Sequence, residues 1–149
     1  MSSGVIVGYD GSPCAKEAVR VAIEVGKAYS EKVIIVFAYE LNPVAGEMRD
    51  YQAALKDLAI QRLTEATELA ATDGAEVEPV IAERAPARAL VDLAAERDAR
   101  VIVVGTRGEH PLKGAMLGST PHKLLQMSDR PVLVVPVREP GEDDERPPA

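Results

Sequence analysis

Hydrophobic and polar positions alternate along the chain in two distinct patterns. Short runs rich in Val, Ile and Ala are typical of strands, and longer stretches with apolar residues every three or four positions are typical of amphipathic helices. The strand pattern occurs at residues 4–9, 32–40, 75–82, 100–105 and 130–137. The helix pattern occurs at residues 12–30, 51–72, from 86 onward and 121–127. Strands and helices are therefore predicted to follow one another in strict alternation.

This alternation predicts the fold class. Apolar strands separated by amphipathic helices are expected to form an α/β fold, a doubly wound, five-stranded, mostly parallel sheet with helices on both faces. Sheets of this kind bind ligands beyond the carboxyl ends of their strands, where the strand order reverses. Two loops follow strands in the required way, residues 8–13 and 105–120. A functional site is expected where these loops meet.

Residues at the predicted boundaries add detail. Ser12 is a suitable N-cap for the first helix, and Pro13 suits its first position. Residues 41–50 contain a proline and a glycine and are predicted to form a loop. Pro79, inside the third strand, predicts a sheet position at which a backbone amide is not needed.

The composition argues against several classes of protein. Hydrophobic residues make up 46% of the chain and aromatic residues only 3%, so the core is expected to be aliphatic. No apolar run reaches about 18 residues, which argues against a membrane span. The first residues lack the basic and long apolar regions of a signal peptide. A single cysteine, Cys14, excludes an internal disulfide and agrees with a cytoplasmic location.

The negative charge of the chain is concentrated at its end. The net charge is −7, of which residues 139–149 carry −4 and residues 1–138 the remaining −3. This balance argues against a nucleic-acid partner, which would require a basic patch. Residues 139–149 are rich in proline and acidic residues, and we expect them to form a disordered tail after one folded domain at residues 1–138.

The loop at residues 105–120 is unusually rich in glycine and ends where a helix is predicted to begin. Gly118 would allow a phosphate to approach the main chain, and Ser119 and Thr120 add hydroxyl donors at a helix N-terminus, which favours anions. Pro121 has no amide, so this helix start offers one donor fewer. Alternatively, the glycines only shape a long loop and Thr120 is an N-cap. Neither of the usual glycine-rich dinucleotide or P-loop motifs is present.

The loop after the first strand contains a carboxylate. Asp10 would suit a phosphate site if Mg²⁺ lay between them, because Mg²⁺ takes oxygen ligands and keeps several waters. It could instead accept a hydrogen bond from a ribose hydroxyl. A third interpretation is purely structural, in which Asp10 and Gly11 form a turn and Ser12 caps the following helix.

The glycine spacing completes a pattern that covers nearly the whole chain. Gly105, two residues, Gly108, nine residues, Gly118 and Ser119 together resemble the G-2x-G-9x-G(S/T) nucleotide signature of the universal stress protein family. The resemblance extends from "VIVGYDGSPCAKEAVRVA" through "VIVVGTRG" to "RPVLVVPV". It implies the Rossmann-like fold of that family, in its ATP-binding branch, for a nucleotide-binding domain at residues 1–138.

The resemblance also implies roles for individual residues. Asp10 would lie near the phosphates and their Mg²⁺, the backbone of Ala38 would contact adenine, and Val104 would line the same pocket. The ribose and phosphates would be held by Gly105, Arg107, Gly108, Gly118, Ser119 and Thr120. The final strand, residues 132–137, resembles the family's dimer-forming edge. One departure is Arg84 in "RAP", where the family often has glycine before the third helix.

Three functions remain open at this point. The resemblance favours a homodimeric, ATP-binding module of the stress response that signals through its nucleotide occupancy and has at most weak ATPase activity. A slow ATPase or other nucleotide hydrolase of the same fold is an alternative, although no catalytic residue is indicated and His110 and His122 have no metal-ligating partners at suitable spacing. A nucleotide-free interaction protein is the second alternative, against which the complete glycine signature argues.

Overall fold

The structure is a computed structural model that describes residues 3–41, 48–107 and 117–137. Within these ranges, strands and helices alternate in the predicted order. The strands are β1 (Val5–Gly8), β2 (Val33–Ala38), β3 (Val77–Ala82), β4 (Val101–Gly105) and β5 (Val132–Val135). The helices are α1 (Pro13–Tyr29), α2 (Met48–Ala71), α3 (Pro86–Glu96) and α4 (Ser119–Met127). The predicted tail, residues 139–149, lies outside the described residues.

The five strands form one sheet in the order β3-β2-β1-β4-β5. Every neighbouring pair is parallel, so the sheet is fully parallel where the sequence predicted a mostly parallel one. The chain proceeds outward from β1 to β3, then crosses back to β4 on the other side of β1. The strand order therefore reverses between β1 and β4. Pro79 lies in β3 at the edge of the sheet, as its missing amide predicts.

Each face of the sheet is covered by one pair of helices. Val5 and Val7 of β1 pack in a cluster with α1 and α2, whereas Ile6 packs in a second cluster with α3 and α4. Alternate residues of a strand point to opposite faces, so each strand supplies both clusters. The doubly wound α/β fold and the aliphatic core are confirmed. None of the helices in the described ranges is both long and apolar enough to cross a bilayer.

The start of α1 follows from its sequence. Ser12 has an extended backbone and its hydroxyl accepts a hydrogen bond from the Ala15 amide at 3.2 Å. Pro13 occupies the first helical position, where an amide would have no partner inside the helix. Both predictions are confirmed. α1 therefore begins directly after the turn at the end of β1.

Two predicted helix boundaries are wrong. α2 begins at Met48, so residues 48–50 are helical where a loop was predicted over 41–50. These residues contain no helix breaker, and Asp50 in the first turn complements the helix dipole. Residues 42–47 lie outside the described part of the chain.

α4 begins two residues earlier than predicted. Gly118, rather than Thr120, is the N-cap, and its backbone is extended, with φ −65° and ψ 168°. Ser119 and Thr120 are the first two residues of the helix and Pro121 is the third. Proline is tolerated there because amides of the first turn have no intrahelical acceptor. The amides of Ser119 and Thr120 are therefore both at the helix N-terminus.

At the amino ends of the strands, an ion pair between Arg100 and Glu31 links the segments that precede β4 and β2. Arg100 donates from Nε to Glu31 Oε2 at 3.0 Å and from Nη2 to Glu31 Oε1 at 2.8 Å. Ser3 Oγ donates to Glu31 Oε1 at 2.8 Å. The hydrogen bonds from Arg100, and next that from Ser3, hold the pKa of the Glu31 carboxyl below its ordinary value despite the opposing effect of burial. Charged Glu31 therefore stabilises the folded state.

The Glu31→Gln variant is expected to unfold at a lower temperature than the wild type at about pH 7. Because the folded-state pKa is lowered, this contribution is complete above the unfolded value of 4.5 and disappears as pH falls through the folded-state pKa. The difference in unfolding midpoint between the two proteins should therefore shrink as the pH is lowered from 4.5. Thermal unfolding followed by circular dichroism across this range measures it. A difference that stays constant with pH would contradict the assignment.

Candidate functional site

A cavity of about 420 Å³ opens at the carboxyl ends of β1, β2 and β4, where the strand order reverses. The N-termini of α1, α3 and α4 complete its wall. This is the position at which doubly wound sheets bind their ligands. The lining residues fall into a polar end, formed by the β1 and α4 loops, and an apolar end between β2 and α3.

The β1 loop forms a tight turn at the polar end. Asp10 Oδ1 accepts a hydrogen bond from the Ser12 amide at 2.9 Å. Gly11 has φ +88°, a conformation that other residues rarely adopt. The structural interpretation of Asp10, Gly11 and Ser12 is thus confirmed as a turn followed by a cap. It does not exclude a ligand, because Asp10 also lines the cavity and one carboxylate has room for several partners.

The start of α4 forms the rest of the polar end of the cavity. The Gly118 amide donates to the Thr106 carbonyl at 2.7 Å, which fixes the start of α4 against the end of β4. Gly118, Ser119 and Thr120 all line the cavity. Because amides of a first helical turn lack intrahelical acceptors, this end of the cavity favours an anion.

Gly105 has a packing role that the sequence did not indicate. A Cβ on Gly105 would lie 2.5 Å from Cys14 Cβ and 2.8 Å from the Cys14 carbonyl carbon. The first turn of α1 therefore occupies the space that a side chain would need. Gly105 lines the cavity, but close packing of α1 on β4 is sufficient to require glycine here. Cys14 itself is buried, as expected of a small apolar side chain.

The opposite end of the cavity is apolar. Ala38 and Val104, the two predicted adenine-pocket residues, both line it. Val36, Pro86 and Leu90 extend the same wall. A flat apolar ring system suits such a slot, whose polar contacts would come from the backbone.

Eight of the nine predicted site residues line this single cavity. They are Asp10, Ala38, Val104, Gly105, Arg107, Gly118, Ser119 and Thr120. The ninth, Gly108, lies outside the described residues. Several further lining residues were not predicted from the sequence, namely Gly8, Tyr9, Ser12, Ala15, Val36, Pro86, Leu90 and Pro121. The sequence signal that could have identified them as site residues is their position near the ends of predicted strands and the starts of predicted helices.

The departure at "RAP" leaves the cavity intact. Pro86 is still the first residue of α3 and lines the cavity. Arg84 instead points to α3, where its guanidinium donates to Asp92 Oδ2 at 2.8 Å. Ala85, at the N-cap position, has ordinary backbone angles of φ −55° and ψ 137°. The residue that replaces the usual glycine therefore forms an ion pair on the surface.

Few ionisable side chains of the described residues line the cavity. They are Tyr9, Asp10 and Arg107. Burial, with a further contribution from the nearby Glu65 carboxylate, raises the pKa of Tyr9 to about 12. Tyr9 is therefore neutral at physiological pH and unsuited to act as a general base. Within the described ranges, no group of three or more acidic, His or Cys side chains is arranged to hold a metal ion.

The chain matches known proteins over most of its length. A family model described as the universal stress protein family matches residues 1–136. Universal stress protein YxiE of Bacillus subtilis is 30% identical over 150 residues, which cover 91% of this chain and 99% of that protein.

Solved structures show the same fold. A universal stress protein from Archaeoglobus fulgidus is 26% identical and superposes with a TM-score of 0.75, covering 91% of this chain and 99% of that one. A universal stress protein crystallised in complex with cAMP is 34% identical, with a TM-score of 0.67 and coverage of 91% and 98%. Because the family model spans residues 1–136 and relatives match along nearly their whole length, this chain belongs to the universal stress protein family.

Proposed function

We propose that this protein is an adenine-nucleotide-binding module that holds ATP with Mg²⁺ in the cavity at the carboxyl end of the sheet. The observation that carries the proposal is the convergence of eight predicted site residues, from four separate segments of the chain, on one cavity. Its polar end offers helix amides and hydroxyls for phosphates, and its apolar end offers a slot for a base. The bound cAMP of the 34% identical relative supports an adenine ligand.

Asp10 suits a supporting role toward Mg²⁺. A single carboxylate beside hydroxyl and phosphate oxygens is a hard-oxygen donor set, and Mg²⁺ commonly uses one or two carboxylates together with substrate phosphates. Asp10 would hold the ion, Ser119 and Thr120 would hold phosphate oxygens, and the metal would neutralise part of the phosphate charge. Arg107 would add one positive charge at the same end.

The same residues argue for binding rather than rapid hydrolysis. Phosphoryl transfer to water needs a group that orients or deprotonates the nucleophile. Of the described ionisable residues in the cavity, Arg107 is a cation, Tyr9 is held neutral, and Asp10 is the proposed Mg²⁺ ligand. We therefore propose that the nucleotide acts as a bound signal in a cytoplasmic stress response, with ATPase activity at most weak.

Purifying the protein, denaturing it and identifying the released nucleotide by chromatography tests this function. We expect ATP, recovered unchanged after incubation with Mg²⁺. Release of cAMP or AMP would favour a cyclic nucleotide or monophosphate as the ligand, the alternative that the cAMP-bound relative supports. ADP that accumulates with turnover would favour the hydrolase. No released nucleotide, together with no binding of added ATP, would overturn the proposal.

We further propose that two copies associate through the β5 edge at residues 132–137. β5 is one of the two edge strands of the sheet, and its residue Leu133 is 38% exposed. An uncovered apolar edge strand favours pairing with another chain, and a two-fold dimer closes that edge. The tail at residues 139–149 comes after this strand in the sequence, and we propose it as an acidic extension of the domain at 1–138.

Leu133→Lys is expected to weaken the dimer by about tenfold or more, because it would place an unpaired ammonium in the interface. Sedimentation equilibrium over a range of protein concentrations measures the dissociation constant. The matched control is Ile60→Lys, at an exposed apolar residue of α2 beside the opposite edge strand. A wild-type monomer, or a Leu133→Lys variant that dimerises as the wild type does, would contradict the interface.

A further inference from the structure

The turn that contains Asp10 packs against a side chain of α2. A Cβ on Gly11 would lie 2.8 Å from both Cδ and Nε of Arg62 and 3.0 Å from its Cζ. The Arg62 side chain therefore lies against the backbone of Gly11, the residue directly after Asp10. Only a residue without a side chain leaves room for this contact, and Gly11 also has the positive φ of +88° that favours glycine.

The residue before Asp10 contacts the same part of α2. Tyr9 is 4% exposed, and its hydroxyl donates to Glu65 Oε2 at 3.4 Å. Arg62 Nη1 donates to both carboxylate oxygens of Glu65, at 3.2 Å and 3.3 Å. Arg62 and Glu65 lie three residues apart on α2 and form one ion-paired unit. This unit contacts both neighbours of Asp10.

We propose that Arg62, ion-paired with Glu65, is a positioning residue for Asp10 and thereby sets the Mg²⁺-dependent part of the nucleotide affinity. Neither Arg62 nor Glu65 lines the cavity, so both act through the β1 loop rather than by touching the ligand. Arg62 contacts Gly11, Glu65 contacts Tyr9, and Asp10 is closed onto its own turn by the Ser12 amide. With both flanks fixed, the Asp10 carboxylate is held at one place in the cavity wall.

This inference rests on the proposed nucleotide function and adds a consequence for α2. Partners that orient a metal-binding carboxylate commonly change metal affinity by about tenfold or more when removed. α2 comes after β2 in the chain, and β2 contributes to the apolar end of the cavity. The conformation of the Asp10 turn therefore depends on α2, a helix whose residues Arg62 and Glu65 do not line the cavity.

The test compares Arg62→Ala with Arg20→Ala, in the full chain, by titration with ATP in Mg²⁺ and in EDTA. Arg20 also pairs with a Glu three residues away on a helix, but on the exposed surface of α1. We expect Arg62→Ala to lose about tenfold in affinity with Mg²⁺ and about twofold or less in EDTA. Arg20→Ala should stay within about twofold of wild type under both conditions. Arg62→Lys, which keeps the stem and the charge, should recover most of the loss.

Amide hydrogen exchange supplies a readout that does not need the ligand. The Ser12 amide is bonded to Asp10 Oδ1, so its exchange should accelerate about tenfold or more in Arg62→Ala and remain unchanged in Arg20→Ala. Should Arg62→Ala fold poorly, Glu65→Gln removes charge from the same ion pair. This variant is also expected to lower the affinity for ATP with Mg²⁺ and to accelerate exchange of the Ser12 amide. A purely structural role would lower stability yet change both affinities equally.

The possible failures are distinguishable. A wild type that binds no nucleotide overturns the proposed function and, with it, the effect assigned to Arg62. A wild type that binds ATP with Mg²⁺, together with an Arg62→Ala variant that binds equally well or loses equal affinity in EDTA, overturns the positioning role alone. Unchanged Ser12 exchange in Arg62→Ala likewise overturns it.

Discussion

Replacing Gly118 with Val is expected to abolish ATP binding, with a loss of affinity of about a hundredfold or more. Gly118 is the N-cap of α4, and its ideal Cβ would lie 3.2 Å from the Arg107 Cα and 3.4 Å from the Thr106 carbonyl oxygen. The two methyl groups of Val extend beyond that Cβ. They would either occupy the approach to the helix amides or push α4 away from β4. Both outcomes displace Ser119 and Thr120, which line the polar end of the cavity.

Gly118→Ala is the graded control for this change. The backbone angles of Gly118, φ −65° and ψ 168°, are accessible to any residue, so alanine adds a tight contact but no conformational strain. We expect a loss of affinity several times smaller than that of Val. Calorimetric titration with Mg²⁺ and ATP measures the affinities, and thermal unfolding shows that both variants are folded. Retained affinity in Gly118→Val would contradict the placement of the phosphates at α4.

Replacing Gly105 with Ala is expected to destabilise the fold by about 3 kcal/mol. The added Cβ would lie 2.5 Å from Cys14 Cβ and 2.8 Å from the Cys14 carbonyl carbon. The second of these atoms belongs to the backbone of α1, so a rotamer change cannot relieve the overlap. The whole N-terminal turn of α1, which follows the Asp10 turn, would have to move. The variant should therefore lose both stability and nucleotide affinity.

Gly74→Ala controls for the general cost of replacing a glycine. Gly74 has φ +69° and no atom within 4 Å of its ideal Cβ, so alanine there adds backbone strain of about 1 kcal/mol and no overlap. Urea unfolding of both variants measures the two free energies. If Gly105→Ala costs no more than Gly74→Ala, then the packing of Cys14 does not explain the glycine at position 105.

Local sequence signals predicted those features that depend on near neighbours in the chain. Ser12 and Pro13 define the start of α1 because capping involves atoms within a few residues. The alternation of apolar runs and amphipathic segments was sufficient to predict the α/β fold and the position of the cavity. The glycine spacing, through the family resemblance, then selected residues of which eight lie together.

Features that depend on contacts between distant segments were not predictable in this way. Gly105 resembles a ligand-contacting glycine in the sequence, but its neighbour in space is Cys14, 91 positions earlier in the chain, which only the folded chain reveals. Likewise, the spacing of apolar residues in α2 does not indicate that Arg62 lies against Gly11. The start of α4 was placed two residues late because Pro121 was taken as the first residue of the helix, whereas the helix tolerates it as the third.

Titration of ATP into the nucleotide-free full chain, with Mg²⁺ present, tests the central proposal most directly. We expect saturable binding of one nucleotide per chain by the wild type, and no binding by Gly118→Val under the same conditions. The absence of saturable binding by the folded wild type, or equal binding by Gly118→Val, would contradict a nucleotide site at the junction of β1, β4 and α4.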